Sequence, residues 1–275
     1  MIKSDYWGVD ASELKRMKLF LFDMDGTIYN ENDLIDGTLL LLKYIVDSGG
    51  KFVFVTNNSS KSVVSYIDKL RYMGIIATRD NIFTSTLATI MYVRQTYAIN
   101  KLYCMGTALF QEELLEAGFE VTTSVDPSAE AIVVGFDTEL TSQKLRNTCE
   151  MLQYDIPFIA THPDLTCPVS FGFIPDCGAV CQMLTHATGR VPLYIGKPSK
   201  MMITYPMELY GYTKDETVVI GDRLYTDIAA GLNANVATVC VLTGEATPKD
   251  IETTEFRPRY TFGSVLDIYH YLASD

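Results

Sequence analysis

The sequence predicts an α/β fold, a largely parallel sheet with a second α/β segment inserted into the chain that builds it. Three observations carry that expectation. Short β-rich runs alternate with helical patterns, the order that produces βα units. The strand-like runs are almost continuously apolar, as strands covered by helices on both faces are. A middle stretch also carries strands and helices of its own. At 275 residues the chain is long enough for one large domain or two modest ones with a real core.

Taken in order, "KLFLFD" (18–23) and "KFVFVTNN" (51–58) are the first two strands, with a helix over 35–50 whose Gly-Gly end suits a C-cap. A helix over 59–74 opens on serines that suit N-capping and ends before Gly74. A short strand follows at 81–85. The middle stretch gives strands at 101–106, 131–137 and 157–164, and helices at 108–119 and 141–153. After it come strands at 192–198, 216–223 and 235–244, separated by helices near 199–210 and 226–234. Segments 259–264 and 265–274 close the chain. The domain expectation is a core of 1–84 and 189–275 interrupted by an inserted domain over 85–188.

Composition narrows the function classes. Twenty-two basic residues against 34 acidic ones leave a net charge of -12, a surface that repels nucleic-acid polymers. A small phosphate remains a suitable ligand if one site concentrates positive charge. No apolar run reaches the length of a membrane span, and the first 18 residues lack the apolar segment of a signal peptide. Six scattered cysteines without Cys-x-x-Cys spacing read as reduced thiols of a cytoplasmic protein.

Four stretches have chemical potential, and each falls at the carboxyl end of an expected strand, where open α/β sheets bind ligands. The first is "DMDGT", with Asp23, Asp25, Gly26 and Thr27. An EF-hand loop is excluded because the glycine falls at the fourth position and no glutamate occupies the twelfth. An ordinary Asp/Gly turn is the plain alternative. The second is "VTNNSS", where Thr56, Asn57 and the serines lead into a helix whose N-terminus suits an anion, or simply carries a cap. The third is Lys197, framed by Gly196 and Pro198, otherwise a solvated surface charge. The fourth is "GDRLYTD", where Asp222 and Asp227 suit either a hard cation such as Mg²⁺ or helix capping.

In that order the four stretches resemble the motifs of the haloacid dehalogenase (HAD) superfamily, over essentially the whole chain. Only 28 residues separate Thr27 from Thr56, whereas 140 separate Thr56 from Lys197. That spacing, with "VTNNSSKS", "FIATHPD" and "PDCGAV", is similar to the C2-capped branch and its NagD and p-nitrophenylphosphatase-like group. The resemblance implies a Rossmann-like core plus an inserted C2-type cap, and hydrolysis of small phosphate monoesters.

It also implies roles. Asp23 would attack phosphorus and form an aspartyl-phosphate. Asp25 would protonate the leaving alcohol and then deprotonate water. Mg²⁺ would be held by Asp23, the carbonyl of Asp25, and Asp222. Thr56, Lys197 and backbone amides near Asn57 would hold the phosphoryl oxygens. Asp227 would orient Lys197 or a metal-bound water, with Gly26 and Thr27 supporting the loop. An acid at position 25 favours phosphatase or phosphomutase chemistry over dehalogenase or ion-pump chemistry, and the insertion favours the phosphatase. Phosphotransfer to an acceptor other than water, and a non-catalytic phosphate-ligand-binding protein, stand as the alternatives.

In such a family the inserted domain chooses the substrate and often mediates a homodimer. Phosphoglycolate, sugar phosphates, nucleoside monophosphates and pyridoxal phosphate all fit the group. Within the insertion, "HPDLTCPVSFGFIP" follows an expected strand, and His162 and Asp164 are expected to shape the leaving-group pocket. A structural histidine at a loop start is the plain alternative. Cys177 and Cys181, four apart near His162 and Cys167, match no zinc-finger spacing and read as buried thiols.

Overall fold

The computed structural model describes residues 4–274, so the ends of the expected 1–84 and 189–275 segments lie outside the described residues at 1–3 and 275. Two compact units emerge. One comprises the chain up to Thr56, Tyr66–Phe83, and Lys197 onward; the other comprises Asn57–Ser65 and Thr84–Gly196. Residues 57–65 and 189–196, expected with the outer segments, therefore group with the inserted ones.

The first unit is organised by a six-stranded sheet. Its spatial order is Tyr260–Phe262, Ala237–Val241, Thr217–Gly221, Leu19–Phe22, Lys51–Thr56, Ile82–Thr84. Leu19–Phe22 pairs in parallel with Thr217–Gly221 on one side and Lys51–Thr56 on the other. All four of its residues are buried, which is why the run "LFLF" shows no polar alternation. Chain order runs one way from Leu19–Phe22 through Lys51–Thr56 and the other way through Thr217–Gly221. The central strand is thus the topological switch point, and the crevice at such a point opens at the carboxyl ends of the strands. Asp23, Thr56 and Asp222 occupy those ends on three adjacent strands.

One local detail agrees with expectation and one differs, each for a clear reason. Helix Thr38–Asp47 does stop at the Gly-Gly pair. Gly49, at φ +77°, donates to Val46 O at 3.0 Å, and Gly50 to Ile45 O at 2.8 Å. The next helix, however, is Val63–Tyr72, and its first turn takes Ser62 Oγ on the Ser65 N–H rather than Ser59 or Ser60. Ser60 instead turns back to Asn58 Oδ1 through both its N–H and hydroxyl, at 2.9 and 2.8 Å.

The second unit is a parallel sheet in the order Leu193–Tyr194, Phe158–Ala160, Ala131–Val134, Lys101–Met105, Glu120–Thr122. Its core packs Tyr103, Met105, Ile132, Val134 and Phe158 against Met151 and Leu184. Leu193–Tyr194 pairs with Phe158–Ala160, so the expected strand at 192–198 edges this sheet and not the first one. An antiparallel hairpin, Thr166–Val169 with Gly172–Pro175, occupies residues 166–175 of the segment "HPDLTCPVSFGFIP", for which the sequence predicts no strand. Among the described residues no helix is long and apolar enough to cross a membrane.

Candidate active site

The end of the central strand divides its two aspartates. Asp23 continues the ladder, donating its N–H to Ile220 O at 2.8 Å, and its side chain turns inward with 15% exposure. Two residues on, the side chain of Asp25 is 60% exposed. Gly26 makes this possible at φ +82°, where a Cβ would come within 2.5 Å of Asp222 Oδ2. The turn is then tied down by Gly26 N to Tyr29 O at 2.8 Å and by Thr243 Oγ1 to Gly26 O at 2.6 Å.

Lys197 is a buried cation. Its Nζ donates to Asp23 Oδ1 at 2.5 Å, Asp227 Oδ1 at 2.6 Å and Val55 O at 3.0 Å. Burial alone would lower its pKa, but Asp227 and Asp23 outweigh burial and raise it. A lysine that sequence statistics assign to solvent is therefore a buried, triply bonded ammonium. Asp227 also accepts the Arg223 N–H at 3.2 Å, so it is fixed from both sides.

Asp222 accepts from Glu245 N at 2.8 Å and from Thr27 Oγ1 at 3.4 Å. Asp23, Asp222 and Asp227 each offer an oxygen within 4.8 Å of the others. Burial and the charge of Asp227 push Asp222 up to about 6. Burial likewise raises Asp23, against the pull of Lys197. Of these three carboxylates Lys197 pairs with Asp23 and Asp227, and the nearby Arg223 is itself paired with Glu245 at 3.1 Å. Such a set carries excess negative charge and hard oxygen donors, which fits a divalent cation of the Mg²⁺ type.

Around Asp25 are two residues the sequence reading missed. Tyr29 OH donates to Asp25 Oδ2 at 3.3 Å, and Lys69 Nζ lies 4.0 Å from Asp25 Oδ1 and 3.8 Å from the Tyr29 ring centre. Tyr29 lay four residues from Asp25 on the same turn and was legible in principle. Lys69, on a helix, had no local signal.

Thr56 ends its strand buried, in the same unit as Asp23 and Lys197. Asn57 follows it and belongs to the second unit, where its Nδ2 donates to Asp164 Oδ1 and Oδ2 at 3.2 and 3.0 Å. Asn57 O accepts from the Ser85 hydroxyl. His162 is fully buried, with Nδ1 3.4 Å from Asp164 Oδ2 and Nε2 3.5 Å from Asp176 Oδ1. Any effect of His162 on substrate choice would thus pass through its neighbours. Cys177 and Cys181 are buried free thiols, as are Cys104 and Cys240.

With this geometry in view, similarity to known proteins is informative. Residues 20–120 match the family model described as haloacid dehalogenase-like hydrolase, and residues 194–268 match the one described as HAD-hydrolase-like. The chain is 33% identical over 249 residues to an acid sugar phosphatase of Staphylococcus epidermidis, covering 90% of this chain and 95% of that one. It superposes on a 4-nitrophenylphosphatase from Thermotoga maritima with a TM-score of 0.90, at 33% identity over 94% of this chain and 99% of that one. NagD from Escherichia coli K-12 gives 0.84 and 30%, covering 91% and 97%.

Proposed function

The chain belongs to the haloacid dehalogenase-like hydrolases, and from that premise we propose how its residues do the work. It is a phosphatase of small-molecule phosphate monoesters, in the NagD and p-nitrophenylphosphatase-like group. The observation that carries the mechanism is the divergence of Asp23 and Asp25, one pinned to a buried ammonium and one turned out beside Tyr29.

Asp23 is the nucleophile. Lys197 holds its Oδ1, which leaves the other carboxylate oxygen to bond phosphorus as the ester oxygen departs. Asp25 gives its proton to that leaving oxygen, so an alcohol is released. It then takes a proton from the water that attacks the aspartyl-phosphate, returning Asp23 as carboxylate and releasing inorganic phosphate. Tyr29 holds the Asp25 carboxyl through Oδ2 for both transfers. Thr56, Lys197 and the backbone N–H of Asn57 hold the phosphoryl oxygens as charge redistributes. Asp23, the carbonyl of Asp25, and Asp222 would hold Mg²⁺. When bound, that ion offsets the repulsion between carboxylates and a phosphate dianion and stabilises transition-state charge.

Sugar phosphates are the substrate class we favour, because the acid sugar phosphatase aligns over most of both chains. Residues 85–188 are the proposed substrate-choosing cap, and self-association through it is read by light scattering on a sizing column. The free cysteines suit a reducing cytoplasm. The test is hydrolysis of p-nitrophenyl phosphate with Mg²⁺, against EDTA and Asp23→Asn controls. A folded protein no more active than Asp23→Asn would overturn the reading.

A further inference from the structure

Asn57, directly after Thr56, and Gly196, directly before Lys197, pack together on one buried histidine. A Cβ on Gly196 would stand 2.5 Å from His162 Cβ and 2.6 Å from both Asn57 Oδ1 and Thr161 O, so only glycine lets these segments meet. The Asn57 side chain gives its amide N–H groups to the two oxygens of Asp164, and His162 Nδ1 lies 3.4 Å from Oδ2 of the same carboxylate. Among the described residues neither nitrogen of the His162 ring has a hydrogen-bond partner. The ring is held between Asp164 and Asp176 by charge, at 3.4 and 3.5 Å.

The charge balance asks for an imidazolium. An imidazolium offsets the repulsion between the two carboxylates that flank it. The titratable groups facing His162 are Asp164 from its own loop and Asp176 and Cys177 from the start of helix Cys177–Thr188. Asn57, Thr161 and Gly196 add no charge. Burial works against the charged ring, but Asp164, Cys177 and Asp176 prevail and raise its pKa to about 9.

We infer that His162 and Asp164 are positioning residues for the phosphate site. The imidazolium pins the Asp164 carboxylate, Asp164 orients Asn57, and Asn57 thereby sets the peptide that follows Thr56. Neither residue need touch the substrate. The inference rests on the phosphatase reading above.

Steady-state hydrolysis of p-nitrophenyl phosphate by the full chain with Mg²⁺ tests it, with inorganic phosphate as competing product. Asp164→Ala should raise KM and the phosphate inhibition constant together by about tenfold, on the scale of one lost charge-assisted hydrogen bond, with kcat within about threefold. Asp164→Asn, whose amide oxygen still accepts from Asn57, should recover most of the loss. A merely structural role would lower Tm and the active fraction and leave KM alone. Unmoved KM and inhibition constants in folded Asp164→Ala, or an asparagine variant no better than the alanine one, overturn the inference.

If the alanine variant does not fold, the wild type decides. Of its three histidines, His162, His186 and His270, only His162 should shift its ring NMR signals when inorganic phosphate is titrated in with Mg²⁺. A stationary His162 signal rejects the idea. A wild type inactive on p-nitrophenyl phosphate and on a sugar phosphate panel would overturn the phosphatase reading and this inference with it. An active wild type with unmoved variants overturns the inference alone.

Discussion

Lys197 reaches Asp23 at 2.5 Å in the interior of the first unit, and the same ammonium holds Asp227 at 2.6 Å. One cation therefore relieves the repulsion between two carboxylates and fixes an oxygen of Asp23, the proposed nucleophile. Replacing it with alanine leaves Asp23, Asp222 and Asp227 facing one another. Lys197→Ala should lower kcat/KM by about 10³-fold or more, on the scale of a lost transition-state donor. It should also lower stability by about 3–5 kcal/mol, as breaking a buried pair does. Asp227→Asn keeps the shape and should be milder, and parallel denaturation and kinetics would separate the two effects.

Tyr29 holds Asp25, the proposed proton carrier. Tyr29→Phe removes a donor 3.3 Å away and should reduce kcat about fivefold, consistent with one ordinary hydrogen bond. Asp25→Asn removes the acid itself and should reduce kcat by about 10²- to 10⁴-fold. Equal effects from both substitutions would contradict separate orienting and proton-transfer roles.

Gly26 is required by both conformation and space. An alanine there must adopt φ near +82° and meets Asp222 Oδ2 at 2.5 Å. Gly26→Ala should cost about 1–2 kcal/mol from backbone strain and weaken apparent Mg²⁺ affinity as Asp222 is displaced. Thermal unfolding without metal and a Mg²⁺ activation curve measure the two effects.

The carboxylate cluster predicts metal-linked stability. Saturating Mg²⁺ at about a hundred times its Kd should add about 2.7 kcal/mol, EDTA should reverse it, and Asp222→Asn should abolish most of it. An unchanged Tm in the wild type would argue against a cation at Asp23 and Asp222.

His162 gives a pH signature independent of catalysis. Its folded pKa of about 9 exceeds the ordinary 6.5, so between those values the native state holds more protons than the unfolded one. Its contribution is full below pH 6.5 and is lost as pH rises through 9, amounting to about 3 kcal/mol from the size of the shift. His162→Gln should flatten that part of the stability–pH curve, as followed by urea unfolding at a series of pH values.

The strand ends that build the candidate site were legible because their signals are local. Continuous apolar runs announce doubly covered strands, and short motifs at their ends announce Asp23, Thr56 and Asp222. What escaped depends on distant partners. Lys69 meets Asp25 from a separate helix, and Asp176 meets His162 across a hairpin. Leu193–Tyr194 reads as one more apolar strand, and only its pairing with Phe158–Ala160 reveals which sheet it joins. Ser59 looked like a cap, but its oxygen accepts from the Phe136 N–H at 2.8 Å and its hydroxyl shares a hydrogen bond with that of Thr161 at 2.9 Å.

The central claim is that Asp23 carries the phosphoryl group while Asp25 carries protons. Enzyme mixed with p-nitrophenyl phosphate and Mg²⁺, quenched in acid and reduced with borohydride, should yield homoserine at position 23 on peptide mass mapping. Asp25 should stay unmodified, and Asp23→Asn should give neither the adduct nor turnover. Full turnover by Asp23→Asn, or an adduct on another residue, would contradict the account.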